Sequence, residues 1–388
     1  MTDERKPVKV LHIFGRMVRD GAEMRMLEMM RALDLERYRF HFCTLEGRPG
    51  DLDDEIRALG GVIHADRLGP GLPWRFGRLL REQRFDVVHS HVLLSSGFFL
   101  RLAAREGAPV RIAHFHSTGD GRPTTPRRRA QRAVMRRWVD RYATHLLGVS
   151  EGAMAAWSPG WCADPRCQVV YDGIDVTPFA RQLDQGAVRS EFNLPEGRRL
   201  YIHVGRLAAP KNHERLIAIF AEIARADPSA YLLVVGRGGN DIERVLRARV
   251  ATWGIADRVV FAGMRFDVPR LLTAADLLLF PSLREGLPGA VLEACAAGTP
   301  TLASDLPGVR EIAARCPEVR YLSLEAGDTE WAATAMTLAA GSRDPGRRDA
   351  IARAFAAGSL TIRDSVAAHT AIYQPTHTAI YQPRRAPC

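Results

Sequence analysis

Glu285 and Glu293 stand eight positions apart in the stretch Phe280-Pro281-Ser282-Leu283-Arg284-Glu285-Gly286-Leu287-Pro288-Gly289-Ala290-Val291-Leu292-Glu293-Ala294. An apolar run, Leu277–Phe280, reads as a strand that ends in a Gly/Pro loop, and a helix starts near Gly289. Glu285 then falls in the loop and Glu293 about one turn into the helix. Carboxylates so placed accept hydrogen bonds from hydroxyl groups. The turn Gly286, Leu287, Pro288 and Gly289 brings loop amides and a helix N-terminus together, which favours an anion.

A second cluster reads Val204-Gly205-Arg206-Leu207-Ala208-Ala209-Pro210-Lys211-Asn212-His213, again between a strand and a helix. Lys6, Lys9 and Lys211 are the only lysines in a chain with 54 basic residues. A lysine retained in so arginine-rich a chain marks a place where a compact ammonium serves and a planar guanidinium does not. Arg206 and Lys211 can neutralise one diphosphate, and a departing diphosphate needs such cations as its charge develops.

These loops need elements to hold them. Val8–Phe14, Phe40–Thr44, Asp86–Val92, Val110–His114 and His145–Val149 read as strands, with helical periodicity between them, as over Ala22–Leu33 and Leu52–Leu59. Leu200–Val204, Tyr231–Val235, Val259–Phe261, Leu277–Phe280 and Pro300–Ala303 repeat the pattern, separated by helices over Glu214–Arg225, Asp241–Val250 and Gly289–Ala297. Alternating strands and helices imply parallel sheets, and 388 residues exceed one ordinary core. The expected organisation is an N-terminal Rossmann-like domain over 7–175, a hinge over 176–194 and a second such domain over 195–350. A C-terminal helix in 351–375 crosses back to the first domain, and a tail follows over 376–388. Ligands of such sheets bind beyond the carboxyl ends of the strands, so the motifs are expected to face an interdomain cleft.

The two motifs, with four others, resemble those of the retaining family 4 glycosyltransferases of the α/β GT-B fold, and within them the exopolysaccharide-assembly type. The resemblance runs from about Val10 to Tyr373. It implies that Glu285 contacts a donor sugar, Glu293 holds ribose hydroxyls, and Arg206 with Lys211 holds the diphosphate. Phe261-Ala262-Gly263-Met264-Arg265 resembles the segment whose backbone reads the nucleobase, which places Met264 and Arg265 at the donor. Val170-Tyr171-Asp172-Gly173-Ile174-Asp175 resembles the hinge motif, with Asp172 where Asn is usual. Arg19-Asp20-Gly21-Ala22-Glu23 resembles the Gly-Gly-Ala-Glu loop beside the donor phosphates, with Asp20 in place of the first glycine and Gly21 retained. His114-Phe115-His116-Ser117-Thr118 ends a strand, and the resemblance puts His116 at the reacting centre on the acceptor side.

The implied reaction moves a sugar from a UDP- or GDP-linked donor to a saccharide or lipid-linked saccharide acceptor, with anomeric configuration retained. The leaving diphosphate accepts the incoming proton, so the catalytic set is His116, Arg206, Lys211 and Glu285. No cofactor and no metal are expected, and His89 and His91, near a strand end, lack an adjacent acidic partner. The competing readings are a nucleotide-sugar epimerase on the same scaffold and a non-catalytic nucleotide-sugar-binding scaffold. A phosphorylase would need a second lysine in the C-terminal half.

The net charge of +10 would suit phosphorylated substrates or anionic lipid. No zinc-finger spacing, RNP motif or basic heptad region points to nucleic acid. Arg127–Tyr142 carries basic residues with Val134, Trp138 and Val139, and reads equally as an interfacial segment or as a domain helix that buries Trp138. No run approaches the length of a membrane helix, and Val10–Phe14 is too short for a signal h-region, so a cytoplasmic protein, peripheral at the inner face of the cell membrane, is expected. Gly236-Arg237-Gly238-Gly239 lacks the spacing of a dinucleotide fingerprint and reads as a turn. The segment HTAIYQP occurs twice, at His369–Pro375 and His377–Pro383.

Overall fold

A computed structural model describes residues 6–119, 121, 125–157, 160–180 and 185–374. The chain divides into two compact units: one runs to Gly173 and resumes at Ile362, and the other spans Ile174–Thr361. The second copy of HTAIYQP and the 376–388 tail lie outside the described residues.

The first unit alternates β1 (Val8–Phe14), α1 (Gly21–Ala32), β2 (Tyr38–Thr44), α2 (Asp53–Ala58), β3 (Val62–Ala65), α3 (Leu72–Gln83), β4 (Val87–Ser90), α4 (Ser96–Arg105), β5 (Val110–Phe115), α5 (Pro126–Tyr142), β6 (His145–Gly148), α6 (Glu151–Trp157) and β7 (Cys167–Val169). The strands form one seven-stranded sheet in the order β3-β2-β1-β4-β5-β6-β7, and the pairs are parallel. The order reverses between β1 and β4, the point where an open sheet leaves a crevice beyond its strand ends.

The second unit runs α7 (Gln185–Glu191), β8 (Arg199–Val204), α8 (His213–Ala226), β9 (Ala230–Val235), α9 (Asn240–Thr252), β10 (Val259–Gly263), α10 (Val268–Ala274), β11 (Leu277–Phe280), α11 (Gly289–Ala296), β12 (Thr301–Ser304), α12 (Pro307–Ala313), β13 (Val319–Leu322), α13 (Asp328–Ala340) and α14 (Pro345–Ala356). Its six parallel strands are ordered β10-β9-β8-β11-β12-β13. Here the reversal lies between β8 and β11. The loops that follow those two strands are the ones carrying Lys211 and Glu285.

Both sheets are covered by helices on both faces, which explains the near-continuous apolar strands. Leu277, Leu278, Leu279 and Phe280 are all fully buried, and each such side chain contributes on the order of 1.5–3 kcal/mol relative to exposure. Buried Asp276 fixes β11 to its neighbours by accepting from the Leu200 amide at 2.8 Å and the Ser342 hydroxyl at 3.1 Å.

Three strands escape the sequence reading. β3 and β13 are four-residue edge strands with exposed positions, and β7 has three residues; none is long enough to show a period. The region expected as a hinge, 176–194, belongs to the second unit, where α7 packs on α10 and Glu191 pairs with Arg265 and Arg270. Of the region expected to cross back, α14 stays with the second unit. The last helix, α15 (Ile362–Tyr373), belongs to the first and buries Ile372 and Tyr373 against the α1 side of its sheet.

Candidate active site

In the second unit the chain leaves β8 at Val204, makes one 3-10 turn over Ala209–Lys211 and enters α8 through Asn212, whose φ of 53° is left-handed. It leaves β11 at Phe280 and enters α11 at Gly289. Because β8 and β11 are neighbours, the two loops touch: the Leu283 amide donates to the Pro210 carbonyl at 2.8 Å. Lys211 Nζ then lies 2.7 Å from Glu285 Oε1 and 4.9 Å from the centre of the Phe280 ring. The two side chains are 21% and 12% exposed, so the pair is shielded but still reached from solvent. An ammonium has three donors, and Glu285 takes one.

Glycines allow this closeness. A Cβ on Gly205 would meet the Lys211 stem at 3.2 Å, and one on Gly308 would sit 1.9 Å from the Gly286 carbonyl oxygen. Gly236, with φ of 148°, lies so close to the β8 loop that a Cβ would fall 1.9 Å from the Gly205 carbonyl oxygen. The Gly236–Gly239 turn is thus shaped by packing, and Leu207 bridges Gly238 in parallel fashion.

Pro288 precedes α11 without a side-chain cap, which leaves the first-turn amides and the positive end of the helix dipole for an anion. Glu293 is half-buried on the same helix, and Arg206 is exposed on the β8 loop. Met264 is exposed just past β10. The Arg265 guanidinium is held by Asp267 at 2.8 and 2.9 Å and by Glu191 at 2.7 Å. These carboxylates raise its pKa, and the same guanidinium pulls Asp267 down to about 2. Arg265 therefore offers a ligand its backbone rather than a spare charge.

Behind this site, buried His203 hydrogen-bonds the Leu279 carbonyl at 2.9 Å, and its ring lies edge-on to His213 at 4.8 Å. Burial, with Lys211 nearby, pushes His213 down to about 4. A separate groove of about 410 Å³ is lined by Ala209, Asn212, Asp241, Ile242 and Val245. Arg206, Lys211, Glu285 and Glu293 are not part of its wall, so it adjoins the site without being it.

In the first unit Gly21 opens α1, and Asp20 caps that helix by accepting from the Gly21 amide at 3.0 Å. Aspartate in place of the usual glycine thus has a local structural use. His116 follows β5. Its Nε2 is hydrogen-bonded to His91 Nδ1 at 2.8 Å, and its Nδ1 lies 3.4 Å from Asp172 Oδ2. His91 Nε2 continues to His12 Nδ1 at 3.1 Å, while His89 joins His114 at 3.1 Å and the Tyr373 hydroxyl at 2.8 Å. Burial holds His12, His89, His91 and His114 well below the usual histidine range, so they are neutral near pH 7. His12, His369 and Tyr373 were not singled out as site residues from the sequence. The available signal was His-x-His at two successive strand ends, since residues two apart share a sheet face.

Residues 19–177 match the model described as Glycosyltransferase Family 4, and residues 184–318 match Glycosyl transferases group 1. A putative glycosyltransferase, EpsF, of Bacillus subtilis (strain 168) is 30% identical over 348 residues, covering 86% of this chain and 88% of that protein. The chain belongs to glycosyltransferase family 4. Another relative is the capsular polysaccharide biosynthesis glycosyltransferase CapH of Staphylococcus aureus, 29% identical over 290 residues, which are 74% of this chain and 78% of that one. Among solved structures, HepE of Anabaena in complex with UDP superimposes with a TM-score of 0.78 at 17% identity, covering 94% of this chain and 99% of that one. WaaG, a glycosyltransferase involved in lipopolysaccharide biosynthesis, gives a TM-score of 0.69 at 17% identity, covering 92% of this chain and 98% of that one. This family 4 glycosyltransferase accordingly has the GT-B fold, with two parallel α/β units. Its strand-end loops unite Lys211, Glu285 and the start of α11 in one place.

Proposed function

We propose that this glycosyltransferase transfers a sugar from a nucleoside diphosphate donor with retention of configuration, for assembly of a cell-surface polysaccharide or glycolipid. The observation that carries the reading is the Lys211–Glu285 pair, 2.7 Å apart beside an uncapped helix N-terminus at the strand-order reversal of the second unit. Lys211 and Arg206 neutralise the leaving diphosphate, and amides of the Gly286–Gly289 turn support it. Glu285 accepts from hydroxyls of the donor sugar, Glu293 from the ribose, and the backbone at Met264 and Arg265 meets the base. Gly21 leaves open space at the start of α1, which admits a phosphate. His116, just past β5, belongs to the acceptor side, and the proton of the acceptor hydroxyl passes to the departing diphosphate. Protein cations do the neutralising, so neither Mg²⁺ nor Mn²⁺ is needed on the diphosphate.

The names of relatives support a UDP-linked donor: HepE was crystallised with UDP-glucose, and a 25% identical Escherichia coli relative is a UDP-Gal:alpha-D-GlcNAc-diphosphoundecaprenol alpha-1,3-galactosyltransferase. A lipid-linked saccharide is then the acceptor class. Among the described residues no helix is long and apolar enough to cross a membrane. We place the enzyme on the cytoplasmic side, reaching its acceptor at the membrane surface through the exposed side of α5.

The test is a thermal-shift series with UDP, GDP and their sugars, followed by product analysis without added Mg²⁺ or Mn²⁺. Stabilisation of about 2.7 kcal/mol is expected at 100-fold the dissociation constant, along with a product of unchanged anomeric configuration. An inverted product, or indifference to every nucleotide diphosphate, would refute the proposal.

A further inference from the structure

Parallel pairing sets His12 of β1 directly beside His89 of β4. It sets His89 beside Ile112 of β5, so the two-residue repeat carries His91, His114 and His116 along the same sheet face. His369 of α15 closes over that face, its ring 5.7 Å from His89 and 5.9 Å from His114. One ring nitrogen from each of His91, His114 and His116 lies within 4.8 Å of the others.

Of the remaining nitrogens of these three rings, two are hydrogen-bonded and one faces a carboxylate without a hydrogen bond to it. His91 Nε2 meets His12 Nδ1 at 3.1 Å, His114 Nδ1 meets His89 Nε2 at 3.1 Å, and His116 Nδ1 faces Asp172 at 3.4 Å. His89 is anchored in turn by the Tyr373 hydroxyl at 2.8 Å. What remains is His91 Nδ1, His116 Nε2 and His114 Nε2. The first two face each other at 2.8 Å, and the third is buried without a hydrogen-bond partner. Histidine ligands of metal ions share this arrangement, in which the nitrogen away from the ion is held by a carboxylate or another polar group.

We propose that His91, His114 and His116 bind one divalent transition-metal ion of the zinc, cobalt or nickel class through Nδ1, Nε2 and Nε2 respectively. Neutral imidazoles suit these ions, and three of them leave a further coordination position open. Two ligand nitrogens about 2.0–2.1 Å from a tetrahedral ion are about 3.3 Å apart, so the 2.8 Å contact opens by a few tenths of an ångström. The proton between His91 and His116 moves to His91 Nε2, which then donates to His12 Nδ1, and His12 carries its own proton on Nε2. Both rings change tautomer and no charge is added to the protein. His116 keeps some exposure, which gives the ion a way in. Two further trios, His12–His89–His91 and His89–His114–His369, lie equally close. Binding at either costs His89 a hydrogen bond to Tyr373 or His114, as binding at the proposed trio costs the His91–His116 one, but both are more deeply buried, which disfavours them. An all-imidazole set is a poor match for Mg²⁺, so the site is separate from the question of metal on a diphosphate.

The test uses the full-length chain without an affinity tag, stripped with chelator and equilibrated with Zn²⁺ or Co²⁺. One ion per chain by elemental analysis is expected, with the visible absorption of nitrogen-ligated Co²⁺. His116→Ala, at a partly exposed position, should lose at least about 100-fold in affinity. Asp172→Asn should weaken binding about tenfold while still binding one ion. His41→Ala, which alters the separate His41–His64 pair, should bind like the native protein. His114→Ala extends the series where circular dichroism shows it folded; if it is not, His116→Ala and Asp172→Asn decide. No stoichiometric binding by the native chain, or unchanged binding in His116→Ala, overturns the assignment. Because metal content is the readout, the result is independent of whether sugar transfer is established.

Discussion

Lys211 shows how much a single side chain can be asked to do. Its stem lies over Gly205 and its ammonium is fixed by Glu285 at 2.7 Å, so it is held in place by the protein itself. Lys211→Ala is expected to lower kcat/KM about 10²–10³-fold, the usual effect of losing one preorganised group at a developing charge. The stability cost should stay at about 1 kcal/mol, because both partners keep solvent contact. Lys211→Arg should not restore transfer, since a wider planar head group would have to take the place of the ammonium between Glu285 and the Phe280 ring. Native-like turnover in either folded variant would take Lys211 out of the mechanism. The lysine was legible because it is isolated in an arginine-rich sequence. Its pairing with Glu285, 74 positions away, was not, because only the β8–β11 adjacency creates it.

The elements explain why the strand-end motifs could be read while other features could not. Long buried strands such as β1 and β8 announce themselves by continuous apolar runs; β3, β7 and β13 do not. Helix α5 was read two ways, and the structure divides it. Trp138 packs towards α4, where a Gly97 side chain would meet the Met135 carbonyl oxygen at 2.3 Å, and Arg101 stacks on the indole at 4.6 Å. The other side exposes Arg127, Val134, Arg137 and Arg141. Membrane attachment, if it uses this helix, therefore depends on the arginines rather than on Trp138. Replacing Arg127, Arg137 and Arg141 with Ala should reduce partitioning onto anionic vesicles about 100-fold, at about 1 kcal/mol per charge. Equal sedimentation of the triple variant and the native chain would dismiss α5 as the membrane face.

At the scale of the whole molecule, the acid limit of stability follows from histidines buried without charge. His203 is held well below its ordinary range, and His213 sits at about 4, both chiefly through burial; Lys211 faces them and the Leu279 carbonyl binds His203. The unfolded chain takes up protons below about 6.5, whereas the folded chain resists them. Stability is therefore complete above that pH and falls as pH drops towards the folded values. The slope is at most about 1.4 kcal/mol per pH unit for each such histidine. Thermal melts from pH 8 to pH 5 with chelator present should show the midpoint falling below pH 6.5; a flat profile would contradict the burial argument.

The two units differ in how the ribosome delivers them. The second is continuous from Ile174 to Thr361, whereas the first needs α15, which follows the second unit in sequence. Tyr373, fully buried against β1 and β4 neighbours, emerges only after the whole second unit has been made. Domains generally fold as they appear, at about 5–20 residues per second. For this enzyme the earlier-made half is the later one to finish, and until then its unsealed sheet face is a natural client for chaperones.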